Sequence, residues 1–368
     1  MNMRKLSEQD IKDILYGCAV LGTGGGGNLE DGLSIMDEDV TEGRELQMVS
    51  LEELPDDCFV ATPYCCGAPK GLDEKEDDRF RKLPHLDYPP SLLAFRSMEE
   101  YMGKEFFAVS STELGGANTA EALHTACRLG LPIIDADPAG RSVPELQHST
   151  YFVKNKSITP MTVATDFGEV IIVKDVIDDF RAEDVVRAIA VASGAMVGVT
   201  DHPMTGRDYK EAIIPDAISY ALNIGKTLRE NRASGGWKAA NVIAEKFLGK
   251  PLFRGKLKYA SCEKKDGFNV GEINLEGIED FRRQQYRIRF KNENIISYRD
   301  EEVDVVVPDL ICMLDEDGNP VTTPNFRDGM EMNIFALPSP EIWKTPEGLK
   351  CFGPEHFGLP VEYVPFKR

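Results

Sequence analysis

In the first part of the chain, segments whose apolar residues have helical spacing alternate with apolar runs typical of strands. Between Ile11 and Ala19 they recur every three or four residues, which predicts a helix, and the glycine run at residues 22–27 ends it. A second helix is predicted from Asn28. Beyond it, apolar runs and amphipathic stretches alternate, which predicts strands at 58–62, 106–110 and 132–135 and helices at 91–101 and 117–129. This order is typical of a parallel sheet with helices on its faces.

In the second half of the chain, the predicted secondary structure changes twice, from a hairpin to helices and then to strands. Residues 161–174 predict a hairpin, and helical periodicity follows over 182–193, 214–231 and 237–248. After residue 249 the pattern becomes one of short alternating strands separated by turns, at 257–261, 268–270, 286–290, 303–307 and 332–335.

We therefore predict an α/β fold in which a parallel-sheet α/β domain is joined to a smaller β-rich domain of the barrel or sandwich type. The α/β domain, with a helical extension, spans residues 1–248, and the β-rich domain spans residues 249–336. The tail, residues 337–368, is expected to pack back on the first domain. The hairpin at 161–174 fits either domain.

Charge and composition exclude several classes of protein. Of 368 residues, 62 are acidic and 42 are basic, and the formal net charge of −20 disfavours binding to nucleic acid or to an anionic membrane surface. No apolar run approaches the roughly 18 residues of a membrane helix, and the N-terminus lacks the pattern of a signal peptide. A cytoplasmic location is therefore expected, with reduced thiols. The eight cysteines show no paired CxxC spacing for a zinc ribbon.

Polar residues are concentrated in three loops that follow predicted strands, at 64–68, 111–118 and 135–141. In a doubly wound sheet, ligands bind beyond the carboxyl ends of the strands. Thiols, carboxylates, an amide and an arginine at these ends are costly to bury unless they bind something, so the three loops form the predicted site. The acidic stretch at 73–78 is interpreted as a solvated loop, with a lid over this site as the alternative.

The glycine run at residues 22–27 matches GxGxxG formally, but a helix precedes it and no Gly-Lys-Ser/Thr follows. No nucleotide cofactor is therefore expected. Two interpretations stay open for the run. It is either a tight turn between helices or a loop whose backbone N–H groups face an anion or oxyanion.

Two short motifs carry reactive or metal-binding side chains. Cys65–Cys66 follows a predicted strand, where a thiol can be a nucleophile, a soft metal ligand or a small apolar side chain of the core. Glu145 and His148 have the spacing that places both side chains on one face of a helix, as in carboxylate-bridged metal sites. The sequence identifies no partner for His85, His202 and His356.

Five segments together resemble one known family, namely Leu21–Gly27, Glu113–Asn118, Asp135–Glu145, Val306–Leu310 and Phe352–Gly358. The sequence is similar to the S-methyl-thiohydantoin desulfurase family, long catalogued as a hydantoinase-associated domain of unknown function, over nearly the whole chain. The resemblance implies an α/β domain joined to a β-rich domain. It also implies a hydrolase-type desulfuration, in which water adds to C2 of a thiohydantoin or S-methyl-thiohydantoin ring and sulfide or methanethiol leaves.

That reaction needs an activated nucleophile, donors for the developing anion and an acid for the leaving group. On this basis Cys65 or Cys66 is expected to be the nucleophile or a thiophilic ligand, and Glu113 or Asp137 the general base. The expected substrate-binding residues are Gly24, Gly25, Gly26, Asn118 and Arg141. A zinc ion would lower the pKa of a bound water to about 7. The candidate zinc ligands are Cys65, Cys66, Asp135 and His148.

Two other functions remain open. One is hydrolysis of a hydantoin-like or oxoproline-like cyclic amide, and the other is a non-catalytic subunit or metabolite sensor of a hydantoin pathway. The expected partner of an enzyme is a small heterocyclic substrate. A homo-oligomer is also expected, and a hydantoinase-type protein is a further candidate partner.

Overall fold

The computed structural model describes residues 3–67, 78–194, 196–265 and 267–367. Residue 68, at the end of the first predicted loop, and residues 73–77 of the acidic stretch lie outside the described residues. Within the described ranges, no helix combines the length and the apolar composition needed to cross a membrane.

The first two helices begin at capping residues. Ser7 Oγ accepts a hydrogen bond from Asp10 N (3.1 Å) and Asp10 Oδ2 accepts one from Ser7 N (3.0 Å), which starts α1 (Glu8–Leu21). The side chain of Asn28 caps α2 (Leu29–Thr41). The glycine run therefore joins two helices, as the sequence predicts.

In the described part of the chain, eight strands form the larger sheet, and only the second to the fifth in spatial order are parallel to one another. The strands on both sides run antiparallel to their neighbours, so the predicted parallel sheet is a mixed sheet. In spatial order the strands are β1 (Arg4–Lys5), β2 (Gln47–Val49), β5 (Ile133–Ile134), β4 (Ala108–Val109), β3 (Phe59–Gly67), β9 (Met196–Thr205), β7 (Met161–Ala164) and β8 (Val170–Val173).

Strand β9 is missing from the sequence-based prediction because polar residues and Pro203 interrupt its apolar alternation, and a proline argues against a central strand. It pairs antiparallel with β3 and extends that strand to Gly67. Cys65 and Cys66 consequently lie inside a strand and not in the loop after it, which corrects the prediction. The predicted hairpin is confirmed as β7 and β8, at the edge beyond β9.

Seven antiparallel strands form the second sheet, which curls into a half-barrel. The β-rich region is thus confirmed in its coarse form, although β14 and β16 are not among the predicted strands. In spatial order the strands are β15 (Glu302–Val306), β14 (Glu293–Arg299), β13 (Gln285–Lys291), β12 (Phe268–Gly277), β11 (Lys250–Lys265), β17 (Glu331–Leu337) and β16 (Leu310–Asp315).

The other elements connect these sheets. A two-stranded ladder pairs β6 (Ala136–Asp137) with β10 (Ile214–Pro215). The further helices are α3 (Asp78–Arg81), α4 (Pro90–Met102), α5 (Asn118–Leu129), α6 (Thr150–Val153), α7 (Asp179–Ala192), α8 (Gly206–Ala212), α9 (Ala217–Asn231), α10 (Gly236–Lys246) and α11 (Pro346–Phe352). Short 3₁₀ helices lie at Arg232–Ser234, Glu279–Phe281 and Glu341–Lys344.

One buried hydrophobic cluster joins the two sheets. It contains Val109 and Ile133 of the larger sheet, Cys312 and Phe335 of the half-barrel, and residues of α1, α5, α9 and α10. Helices α1 and α10 also contact β16 and β17 directly. Because these helices share one hydrophobic cluster with strands of the larger sheet, the half-barrel is held next to that sheet.

Candidate active site

Four acidic side chains lie where the parallel strands of the larger sheet end, and three of them act electrostatically on the other one, Glu113. Glu113 follows β4, Asp137 ends the short strand after β5, and Glu183 projects from α7. The fourth side chain, Glu293, comes from the half-barrel, where it begins β14. It accepts a hydrogen bond (2.9 Å) from the Oγ of Ser142, which follows Asp137 by five residues. We call Glu113, Asp137, Glu183 and Glu293 the carboxyl cluster.

The members of the carboxyl cluster influence one another. Glu113 interacts electrostatically with the other three and with the Arg187 guanidinium. Burial raises the pKa of all four carboxyl groups, because the ionised form loses its hydration. Arg187 pairs with Glu183 and lowers the cost of a negative charge there. Arg141 and Lys291 act in the same way on Glu293.

Asp137 and Glu293 have pKa values in the neutral range. Burial raises the pKa of Asp137 to about 7, although its Oδ1 accepts hydrogen bonds from Ala139 N (2.8 Å) and Gly140 N (2.7 Å). Burial likewise raises the pKa of Glu293 to about 7. Asp137 Oδ2 and Glu293 Oε2 are buried without a partner among the described residues. Buried polar atoms of this kind indicate a place that water or a substrate fills.

Glu113 combines a strained backbone with an oriented carboxyl group. Its φ of +56° lies in the left-handed region, which is costly for a non-glycine residue and clusters at functional sites. Asn118 Nδ2 donates a hydrogen bond to Glu113 Oε2 (2.8 Å). Burial, followed by the neighbouring carboxylates, raises the pKa of Glu113 well above its usual range. The protonated form of this group is therefore favoured over that of a solvent-exposed glutamate.

The two adjacent cysteines face opposite sides of β3, since successive side chains of a strand alternate. Cys66 interacts electrostatically with Glu183 and Glu113, which places it on the side of the carboxyl cluster. Cys65 interacts with Glu121 of α5 instead. Burial raises the pKa of Cys66 to about 12 and that of Cys65 well above its usual range, so both are neutral thiols.

The glycine run packs closely against residues of the carboxyl cluster and of the loop after β4. A Cβ atom on Gly25 would lie 1.8 Å from Glu293 Oε1, and one on Gly26 would lie 2.5 Å from Gly115 Cα. Gly26 O accepts a hydrogen bond from Asn118 N (3.2 Å). The run turns the chain between α1 and α2, and its lack of side chains permits this close approach.

Arg141, a predicted substrate-binding residue, is fully buried and connects loops. Its Nη2 donates to Thr23 Oγ1 (2.8 Å), its Nη1 to Pro308 O (3.0 Å) and its Nε to Ser142 O (2.9 Å). The guanidinium therefore ties the glycine run to the turn before β16. It also interacts electrostatically with Glu293, so Arg141 and Arg187 both lie beside the carboxyl cluster.

The four predicted zinc ligands do not come together in the structure. Cys65 and Cys66 lie on opposite faces of β3. Asp135 is held by Ser219, whose backbone N–H donates to Asp135 Oδ1 (2.8 Å) and whose hydroxyl donates to Oδ2. Over the described ranges, the one group of three or more His, Cys, Asp or Glu side chains with ligand atoms within 4.8 Å of one another is Glu145, His148 and His356.

This group differs from the prediction in its secondary structure. Glu145 and His148 lie in a turn before α6 and not on a helix, with His148 N donating to Glu145 O (3.0 Å). The third member, His356, comes from the tail. The sequence signal for it was its position within the family-like segment 352–358, not any spacing to the other two.

Sequence reasoning also missed a buried aspartate–histidine pair on β9. His202 Nδ1 lies 2.9 Å from Asp201 Oδ1, and Asp201 Oδ2 accepts a hydrogen bond from Tyr64 Oη (2.7 Å). The ring of Tyr151 packs on His202 with centroids 4.4 Å apart. His202 Nε2 has no hydrogen-bond partner in the described part of the chain, and Asp179 Oδ2 lies 3.9 Å away. An adjacent Asp–His in an otherwise apolar run is the signal that identifies the pair.

Two open grooves lie apart from this region. They have volumes of about 510 and 500 Å³, beside α10 and at the turn after β12, and no member of the carboxyl cluster lines either of them. Perturbed carboxyl groups at strand ends mark a better candidate than an open groove does.

Comparison with protein-family models identifies both halves of the chain. A model described as S-Me-THD-like, N-terminal domain, matches residues 9–175, and one described as S-Me-THD-like, C-terminal domain, matches residues 177–366. The first of these ranges includes the hairpin of β7 and β8. No curated protein matches the chain.

A crystal structure of a protein from Chromobacterium violaceum has the same fold. It aligns with a TM-score of 0.76 over 99% of this chain and 100% of that chain, at 21% sequence identity. At this level of identity the likeness concerns the fold alone.

Proposed function

The chain belongs to the S-Me-THD-like family, which confirms the resemblance noted in its sequence, and we propose that it is a hydrolase that removes sulfur from a thiohydantoin-type ring. The substrate in this proposal is a small thiohydantoin or S-methyl-thiohydantoin. Water adds to C2 of the ring, and sulfide or methanethiol is released.

The observation that carries the proposal is the range of acidities within the carboxyl cluster. A general base works best when its pKa is near the operating pH, and a general acid must be protonated there. Asp137 has a pKa of about 7, an Oδ1 that two backbone N–H groups fix and an Oδ2 with no hydrogen-bond partner in the described ranges, which suit the base. Glu113 has a pKa well above its usual range and is oriented by Asn118, which suits the acid.

The reaction then runs in two steps. The oxygen of water bonds to C2 while Asp137 accepts one of its protons, and the C2–N π electrons move to the ring nitrogen. That nitrogen takes the proton from Asp137. As the intermediate collapses, C2–O becomes a double bond, the C2–S bond breaks, and the sulfur takes the proton of Glu113. The hydroxyl proton of the intermediate restores Glu113, so one water is consumed and a hydantoin and methanethiol are formed.

Two further residues support this scheme. The Arg187 guanidinium interacts electrostatically with Glu113 and Cys66, so it stabilises negative charge that develops on the ring. Glu293, with a pKa of about 7, supplies a second acid–base group from the half-barrel. Cys66 lies beside them as a neutral thiol. We therefore propose that water, and not a thiolate, attacks the ring, because a thiol with a pKa of about 12 is almost fully protonated at neutral pH.

The experiment is turnover of a panel of 2-thiohydantoins, S-methyl-thiohydantoins and plain hydantoins, followed by ultraviolet absorbance and by assay of released sulfide or methanethiol. Sulfur release is expected from the first two classes. Ring opening of plain hydantoins alone would assign the protein to the cyclic-amide hydrolases instead. No turnover in any class would contradict the proposal and favour a subunit or sensor.

Asp137→Asn and Asp135→Asn form a matched pair for this panel. Asp137→Asn is expected to lose about 10²–10⁴-fold in kcat/KM, the range that a general base contributes. Asp135 lies two residues away, but its carboxylate is occupied by Ser219, so its variant is expected to retain turnover. Equal losses in both variants would contradict the assignment of the base.

A further inference from the structure

A pair of histidines beside the tail has the geometry of a metal site. His148 Nε2 and His356 Nε2 lie 2.9 Å apart, and Glu145 Oε2 lies 3.7 Å from the first and 3.6 Å from the second. Three separations of this size define a triangle with a circumradius of about 2.0 Å, which is also the length of zinc–nitrogen and zinc–oxygen bonds. We propose that Glu145, His148 and His356 bind one zinc ion.

The chemistry of the three donors agrees with this ion. Two imidazole nitrogens and one carboxylate oxygen suit zinc and related divalent transition metals, whereas calcium and magnesium prefer oxygen ligands. The rings of His148 and His356 meet at an angle of 86°, with their Nε2 atoms directed at each other. An ion between these atoms would be bound by both lone pairs.

The burial of the ligands indicates an open coordination position. His148 is fully buried, whereas the side chains of Glu145 and His356 are 13% and 17% exposed. Protein therefore closes one side of the site, and solvent reaches the other. Structural zinc sites have four protein ligands, and sites with three keep a position for water or substrate. The ion proposed here belongs to the second kind, with water as its fourth ligand.

Neighbouring groups already hold the ligands in place. Lys291 Nζ pairs with Glu145 Oε1, which leaves Oε2 for the ion, and Gln147 Nε2 donates to Oε2, which retains a second lone pair. The rings of Phe352 and Phe357 pack on His148 with centroids 5.0 and 5.6 Å away. This packing restricts the His148 ring, whose Nδ1 has no hydrogen-bond partner among the described residues, and the hydrogen bonds to Glu145 orient its carboxylate.

The site borders the carboxyl cluster without sharing a residue with it. Leu146 N, between the two ligands of the turn, donates a hydrogen bond to Glu183 Oε2 (3.1 Å). The ion would tie this turn to His356, which is 208 residues away from His148 in sequence. Because the inference rests on the ligands alone, it does not depend on the reaction proposed above.

The test is the zinc content and zinc affinity of the purified full-length protein. After removal of metal with a chelator, zinc is titrated in competition with a chromophoric chelator. We expect one zinc per chain in the wild type. His148→Ala and His356→Ala should each weaken binding by more than the 10–100-fold that loss of an outer contact costs. His85→Ala, in an exposed histidine outside the site, is the matched control and should bind as the wild type does.

Cobalt substitution provides a readout that does not depend on activity. The cobalt-loaded wild type and His85→Ala should show visible absorption bands that His356→Ala lacks. Circular dichroism of the metal-free proteins checks that the variants are folded. If His148→Ala fails to fold, the test rests on His356→Ala, because His356 is partly exposed and its replacement is better tolerated. Absence of zinc binding at micromolar concentration in the wild type, or equal binding by His356→Ala, would overturn the inference.

Discussion

Asp137 is the residue on which the proposed chemistry depends most directly. Two backbone N–H groups fix its Oδ1, and its buried Oδ2 has no hydrogen-bond partner among the residues that the structure describes. Its carboxylate is therefore oriented before a substrate binds, and its pKa of about 7 lets it both accept and release a proton.

The pH dependence of turnover should report on this residue. We predict that kcat/KM of the wild type falls as pH decreases through about 7, because only ionised Asp137 accepts the proton of water. In Asp137→Asn this acidic limb should disappear along with most of the activity. The measurement is the initial rate of sulfur release from about pH 5.5 to 9. An unchanged limb in the variant would transfer the role of base to Glu293.

The same substitution should stabilise the folded protein at alkaline pH. Burial raises the pKa of Asp137 from 3.8 to about 7, so the folded state binds this proton more tightly than the unfolded state does. Stability from this group is consequently lost as pH rises from about 4 to about 7. We expect Asp137→Asn to gain about 1–3 kcal/mol in urea unfolding at pH 8 and almost nothing at pH 4. A loss of stability at pH 8 would contradict the buried-charge argument.

The thiols should differ in reactivity in the order of their exposure. Cys262 is exposed, whereas Cys66 is buried with a pKa raised to about 12. We predict that iodoacetamide at neutral pH labels Cys262 before Cys66 and leaves turnover intact while only Cys262 is modified. Peptide mass spectrometry against residual activity measures both. Rapid labelling of Cys66 with parallel inactivation would favour a thiolate nucleophile.

Sequence reasoning identified only the part of the site that follows directly from strand order. Glu113 and Asp137 were predicted because they lie in loops that follow predicted strands, where ligands of such sheets bind. Glu183 and Glu293 were not, since they come from α7 and β14, and packing between distant segments leaves no local pattern. The pairing of His148 with His356 escaped notice for the same reason.

At the scale of elements, the helices and the hairpin could be predicted more reliably than strand β9, which lies between β3 and the hairpin in the sheet. The hairpin of β7 and β8 and helix α5 follow from clear periodicity and turn residues. Strand β9 does not, because its Asp201, His202 and Pro203 break the alternation. This missed strand matters for the two cysteines. Because its pairing extends β3, Cys65 and Cys66 lie within a strand, and their side chains point to opposite faces of the sheet.

The crossing of α1 and α9 depends on two glycines. A Cβ atom on Gly17 would lie 1.8 Å from Ala221 O, and one on Gly225 would lie 1.7 Å from Asp13 O. Gly225→Ala should therefore push the helices apart and destabilise the protein by about 1–3 kcal/mol or more in urea unfolding. Lys226→Ala, at an exposed position of α9, is the control and should change stability by less than about 0.5 kcal/mol. Equal effects would contradict the tight crossing.

At the scale of the whole molecule, the sequence predicted an α/β part and a β-rich part but not how they combine. Helices α1 and α10 pack against the half-barrel, and Glu293 of the half-barrel completes the carboxyl cluster of the larger sheet. The alternation of apolar and polar residues indicates which helices and strands form. Which distant segments are buried against each other depends on three-dimensional packing, which leaves no local pattern in the sequence. The site proposed here requires both sheets.

Turnover of S-methyl-thiohydantoin in oxygen-18 water is the measurement that tests the central claim most directly. We predict that the wild type forms hydantoin with one oxygen-18 atom at C2 and one equivalent of methanethiol, and that Asp137→Asn forms almost none. Mass spectrometry of the product and a thiol assay provide both values. Absence of sulfur release by the wild type, or a C2 oxygen that does not come from water, would contradict hydrolytic desulfuration by this protein.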